Sequence, residues 1–238
     1  MVGKTKHSLT YLTTCLVAVV LFFASCGEGS QESALSSGVI DYEITYPFPP
    51  EDQYLARILP TTLTLTYSPK HTKTEVSLSM GMIKMYYLAN NEKKELSEYV
   101  KFMTNKYANT FTPEEFNQFK ANYPKHTIEF TNDTKLIAGY TCKKAVVTYP
   151  DKNNYQFNLY YTDELNMNDF NWWTPFSEIK GVLMEYEVER YNILMHLTVA
   201  KITPAVHDEN EFKIPSEYNM VDRSEMENMH ATFEELNQ

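Results

Sequence analysis

The sequence predicts a mainly β fold, one large curved antiparallel sheet or half-barrel with one or two covering helices. Three observations predict it. Eight or so segments alternate apolar and polar residues with a period of two, only one strong helix-start signal stands between them, and 18 tyrosines supply amphipathic strand faces. A chain of 238 residues suits a single domain with a sizeable core.

The first elements lie ahead of the sheet. Lys4, Lys6 and His7 precede a mostly apolar stretch from Tyr11 to Ala24, and Phe23, Ala24 and Ser25 lead into Cys26. The apolar stretch is shorter than the roughly 20 residues that a bilayer-spanning helix needs, and Gly27 to Ser30 follow at once. Residues 1–25 therefore read as a signal peptide. Small residues directly before a cysteine resemble the lipobox of bacterial lipoproteins. The resemblance implies cleavage before Cys26, lipid attachment at Cys26, and a place in the outer membrane or cell envelope of a Gram-negative bacterium, facing either side. Several acyl chains make such an anchor effectively permanent, at roughly 0.8 kcal/mol per buried methylene. Residues 26–37 are small, polar and aperiodic, as a flexible tether is.

The single β-rich domain is expected over 38–238. From Gly38, Ile40, Tyr42, Ile44 and Tyr46 alternate with polar partners until Pro47, Pro49 and Pro50 end the strand. Leu63 to Tyr67 is a second strand, turned by Ser68 and Pro69. Glu75 to Tyr87 reads as one further strand, with Val76, Leu78, Met80 and Met82 on one face. Lys94 to Tyr107 fits either period, and we read it as strand.

Thr112-Pro113-Glu114-Glu115 starts a helix that runs to about Asn122: the threonine caps, the proline sits where its missing donor is harmless, and Glu115 reaches back. Phe116 and Phe119 give that helix an apolar side. Strands are then expected at Thr127–Phe130, Thr141–Tyr149, Tyr155–Tyr161, Val182–Val188 and Ile193–Val199. Turns are expected at Asn132-Asp133, Pro150–Asn154 and Arg190–Asn192. Ser224 and Glu227 make a second capping box for a terminal helix with Met226, Met229, Phe233 and Leu236 on one side.

The stretch Lys135 to Tyr149 (KLIAGYTCKKAVVTY) and the following Tyr160 to Leu165 resemble the GLPGLI-type family of envelope proteins of unknown function. Gly139, Tyr140, Cys142, Lys143, Lys144 and Ala145 carry the match. Ile179 to Leu183 occupy the place of that family's apolar loop, with Lys180 where the family has proline. Such proteins are also similar to half-barrel lipoprotein carriers of the LolA and LolB type, which implies a curved sheet wrapped over helices around an apolar cavity. No activity is implied.

Charge and composition exclude several functions. The chain holds 21 basic and 31 acidic residues, a net charge of -10, and loses Lys4 and Lys6 but no acid with residues 1–25. Nucleic acid, which needs a basic face, is excluded as a partner. Six histidines stand apart without metal-ligand spacing, and seven glycines form no phosphate-binding cluster, so no metal and no cofactor are expected. With Cys26 acylated and Cys15 removed, Cys142 has no disulfide partner and reads as a small core residue. Glu185, Glu187 and Glu189 alternate as the wet face of a strand, and His196 reads as solvent-facing. No constellation of catalytic residues rises above such structural readings, so a binding module is expected rather than an enzyme.

The segment from Phe170 to Phe176 stands out, because both tryptophans of the chain, Trp172 and Trp173, lie side by side in what reads as loop. Either it closes one end of the sheet as core, or it presents an aromatic rim. Phe170, Trp172, Trp173, Phe176, Met80 and Met82 are the candidate residues for binding an apolar ligand or an envelope protein partner. Adaptable thioethers at Met80, Met82 and Met85, beside Tyr86, suit variable ligands. A lipid-anchored carrier of an apolar, lipid-like ligand is the leading expectation, and a structural lipoprotein that docks a partner through the aromatic loop is the alternative.

Overall fold

The computed structural model describes residues 36–48, 57–167, 169–190 and 193–235, the last four by backbone alone. Cys26, the signal segment 1–25, most of the tether, Pro49, Pro50 and Leu236 lie outside these residues, as does the Phe233 side chain.

Among the described residues twelve strands form one open sheet. They are β1 (Gly38–Thr45), β2 (Thr62–Tyr67), β3 (His71–Leu78), β4 (Ile83–Asn90), β5 (Glu95–Phe102), β6 (Asn105–Thr110), β7 (Thr127–Ile137), β8 (Tyr140–Tyr149), β9 (Tyr155–Thr162), β10 (Val182–Arg190), β11 (Ile193–Pro204) and β12 (Asn219–Met220). Their order across the sheet is β12-β6-β5-β4-β3-β2-β1-β11-β10-β9-β8-β7. Every neighbouring pair is antiparallel except β12 with β6, so the sheet is mixed rather than purely antiparallel. Two helices accompany the sheet among the described residues, α1 (Pro113–Ala121) and α2 (Arg223–Glu235).

The alternation read in the first strand is kept. Ile40, Tyr42 and Ile44 are buried while Val39, Asp41 and Glu43 are not, and β1 lies between β2 and β11. The cap of α1 also forms as expected: Thr112 Oγ1 accepts from the Glu115 amide at 3.2 Å, and Glu115 Oε2 accepts from the Thr112 amide at 2.6 Å.

Four expectations are corrected. Glu75 to Tyr87 is not one strand, because Ser79, Met80 and Gly81 take positive φ and fold the chain into the β3–β4 hairpin. Met80 and Met82 thereby leave the face shared by Val76 and Leu78. Lys94 to Tyr107 is likewise a hairpin, β5 to β6, turned at Met103 with φ 55°.

The turn expected at Asn132-Asp133 is a bulge inside the continuous strand β7, where the register slips between Phe130 and Thr134. The true turn is Ala138-Gly139, with φ of 48° and 88°. Finally, α2 is capped by Asp222 and not by Ser224. The Asp222 carboxylate accepts from the Glu225 amide at 2.9 Å, and the Ser224 hydroxyl only adds to it.

Both helices bury their apolar sides on the β4–β6 half of the sheet. Met226 of α2 packs with Ile83, Met85 and Val100, while Phe116 and Phe119 of α1 join Ala89, Leu96 and Phe111. Cys142 is fully buried, and burial pushes its thiol up to about 11.

Candidate functional site

The inner faces of β1, β2, β3, β4, β10 and β11 bound an apolar cavity of about 220 Å³. Pairing register explains which side chains meet there. Leu63 lies opposite Val76 and Val76 opposite Met85, while on the far side Tyr186 lies opposite Leu197 and Val188 opposite Met195. An engineered apolar cavity of about 150 Å³ holds benzene, so this space exceeds a packing defect. Among the described residues its wall carries one charged side chain, Arg190.

The roof is the segment from Phe170 to Phe176, whose first four residues form a 3₁₀ turn. That turn sends the adjacent tryptophans in different directions. Trp172 packs at 5.0 Å on Phe116 and donates its indole N–H to Asn91 Oδ1 at 3.0 Å. Trp173 faces the cavity and stacks on Tyr87 at 5.3 Å. Three residues on, Phe176 meets Phe157 and Tyr186 at about 6 Å.

This roof measures the curvature beneath it. Tyr87 on β4 and Phe157 on β9 are six strands apart, ~29 Å across a flat sheet. Three residues of chain span only ~10 Å, so Trp173 and Phe176 reach both strands because the sheet curls towards itself.

Local hydrogen bonds fix the roof. Asn171 Nδ2 donates to the carbonyls of Ile179 at 2.9 Å and Gly181 at 2.8 Å, closing the loop on its own exit. Gly181, with φ 126°, permits this exit: a Cβ there would lie 2.3 Å from the Thr162 carbonyl oxygen. Above α1, the Tyr123 hydroxyl donates to the Trp173 carbonyl at 2.6 Å, and Arg190 donates to the same hydroxyl at 3.2 Å. The Arg190 guanidinium also lies over the rings of Phe119 and Tyr123.

Beside Tyr87, Glu98 of β5 sits under α2, buried and paired with Arg223. Burial pushes its carboxyl up to about 7 although Arg223 pulls the other way. His230 Nε2 lies 3.6 Å from Glu98, and burial together with Arg223 and Arg190 holds the imidazole down at about 4. Burial thus disfavours the charged form of both groups.

Of the candidate residues, Phe170, Trp173 and Phe176 line the cavity, and Trp172 is buried next to it against α1. Met80 and Met82 do not line it: they sit on the β3–β4 turn at its end, where Leu78, Ser79 and Ile83 belong to the wall. Met85 and Tyr87 do line it, whereas Tyr86 lies on the outer face, stacked on Tyr99 at 4.3 Å.

The wet face read for the carboxylates is also corrected. Glu187 is buried, accepting from the Tyr155 hydroxyl at 2.7 Å and lying 3.4 Å from a half-buried His196. Arg190, Tyr123 and Asn171 were not singled out by the sequence. Arg190 carries a readable signal, since it continues the alternation of Tyr186 and Val188; the other two act through loop contacts that no periodicity reveals.

The family described as N-glycanase peptide, N-terminal domain matches residues 86–170, from β4 to the first residue of the roof. No curated protein matches the chain.

Proposed function

We propose that this protein is a lipid-anchored envelope protein that holds an apolar, lipid-like ligand between its curved sheet and its aromatic roof. The observation that supports this most is the cavity wall, mainly apolar and aromatic, with Arg190 as its one charge among the described residues. The roof is built for retention: its aromatic side chains cover the space, and its backbone is held by Tyr123 and Asn171. Anchoring rests on the lipobox ending at Cys26. The alternative, docking of a partner through the aromatic loop, is disfavoured by the burial of its anchors, Trp172 at 8% and Trp173 at 9% exposure.

Protein purified from its host and delipidated under mild conditions should carry co-extracted lipid detectable by mass spectrometry, and should bind an apolar fluorescent probe. Val76→Trp, which fills the cavity, should weaken that probe at least tenfold, ~1.4 kcal/mol. Protein free of lipid that ignores the probe would remove the basis of this reading.

A second reading rests on the family match, whose name speaks of an N-glycanase. On it, the β4–β9 segment is an accessory domain to glycan processing. Binding of released N-glycans, undiminished in Val76→Trp, would support it over lipid carriage.

A further inference from the structure

We propose that the two neighbouring hairpin tips bearing Met80, Met82 and Met103 dock onto a lipid bilayer with anionic headgroups. Met80 is 98% exposed, Met82 50% and Met103 58%, which puts three of the large exposed apolar side chains on one edge of the sheet. The tips are tied together, the Met103 amide donating to the Met82 carbonyl at 2.8 Å.

Their backbone is specialised as well. Met80 and Met103 both hold φ of 55°, a left-handed conformation that disfavours residues other than glycine by ~1 kcal/mol or more. Two thioethers are therefore projected outward at turn positions where glycine or asparagine would be less strained. Protruding unbranched side chains suit a fluid bilayer, which needs no matching pocket.

Charge favours the same occupant. Residues 77–84 (SLSMGMIK) and 101–106 (KFMTNK) hold three lysines and no acid, in a chain with 31 acidic against 21 basic residues. Register sets those lysines in one row across three strands, Lys84 opposite Lys101 and Lys101 opposite Lys106, one residue or so behind the apolar tips. Glu75 answers Lys84 and Glu217 answers Lys106, while Lys101 forms no ion pair within 4.0 Å among the described residues. Apolar tips with cations directly behind them match the layering of acyl chains and anionic headgroups.

The position has a use. Leu78, Ser79 and Ile83 at the base of these tips form the end of the cavity, so docking would bring that end against the bilayer. The surface goes beyond the carrier reading and fails separately from it, because docking is read at the tips and ligand binding at the cavity.

The experiment uses the full chain with Cys15 and Cys26 replaced by serine, and single cysteines introduced by Met80→Cys, Met103→Cys or Val206→Cys for an environment-sensitive nitrobenzoxadiazole label. Cys142 is fully buried and stays unlabelled. Val206, 96% exposed, follows Pro204, which pairs with Gly38 at the opposite ends of the strands. On phosphatidylcholine vesicles containing phosphatidylglycerol, labels at 80 and 103 should brighten and shift to the blue while the label at 206 does not. Lys101→Gln should weaken that response about fivefold. The proposal is overturned by no shift at 80 and 103, by an equal shift at 206, or by a shift that does not need phosphatidylglycerol. A shift without vesicles accompanied by a doubled mass would also overturn it, assigning the tips to a second copy of the chain.

Discussion

The Tyr123 hydroxyl donates to the Trp173 carbonyl at 2.6 Å, and this hydrogen bond ties the segment just after α1 to the roof of the cavity. Arg190 donates to the Tyr123 hydroxyl oxygen from the cavity wall, so one phenol bridges the end of the helix, the roof and the sheet. Tyr123→Phe removes the bridge and keeps the ring. We expect a stability loss of ~1 kcal/mol by denaturant unfolding, faster amide exchange over residues 171–176, and faster release of an apolar probe. Unchanged exchange in that segment would show that the roof is held by packing alone.

The tryptophans should behave as core. Trp172 packs on Phe116 and bonds Asn91, and Trp173 stacks on Tyr87. Replacing either by alanine should destabilise by ~3–5 kcal/mol and lower the melting temperature by roughly 6–20 °C. A double Trp172→Ser, Trp173→Ser chain that melts normally would mean that the loop is a surface element.

Glu98 and His230 give opposite pH dependences. The Glu98 carboxyl is raised from 4.5 to about 7, so its contribution is full below pH 4.5 and is lost as the pH rises to 7. The His230 imidazole is lowered from 6.5 to about 4, so its contribution is present above pH 6.5 and is lost as the pH falls towards 4. Between pH 4.5 and 6.5 the two slopes oppose each other. Glu98→Gln should therefore leave a melting temperature that climbs with pH across this window, and His230→Gln one that declines. Variants with the same slope would break the argument.

Gly181→Ala tests the exit of the roof. Its φ of 126° and the Thr162 oxygen, 2.3 Å from where the added methyl carbon would sit, leave no room without backbone movement. We expect at least 1–3 kcal/mol of destabilisation in thermal unfolding, with a weaker hold on Asn171 visible as lost amide protection.

Much of this was legible in the residues. Ile40, Tyr42 and Ile44 announce their strand by period alone, and Thr112 with Glu115 announces α1 by cap chemistry. The hairpin turns were hidden for a physical reason: Ser79, Met80 and Met103 occupy left-handed positions without being glycine or asparagine, and the lone Gly81 is a weak signal beside them. Asn132-Asp133 errs the other way, a turn-like pair absorbed by a bulge. For the site, the aromatic run at 170–176 was visible as composition, but the partition of Trp172 towards α1 and Trp173 towards the cavity depends on a 3₁₀ turn that only tertiary contacts select. Met80 and Met82 lie outside the cavity lining because the chain reverses at 79–81, where their period of two had suggested one continuous strand.

The placement of β1 between β2 and β11 governs the order in which the sheet can be finished. Gly38 pairs on one side with Tyr67, nearby in sequence, and on the other with Pro204, near the far end of the chain. A growing polypeptide can zip β1 through β6 as local hairpins, yet the seam between the two halves waits for residues 193–204. Closing that seam is a long-range step, slow compared with hairpin formation, and a truncated product ending before it would display β1 as a bare, apolar sheet border open to association with other strands.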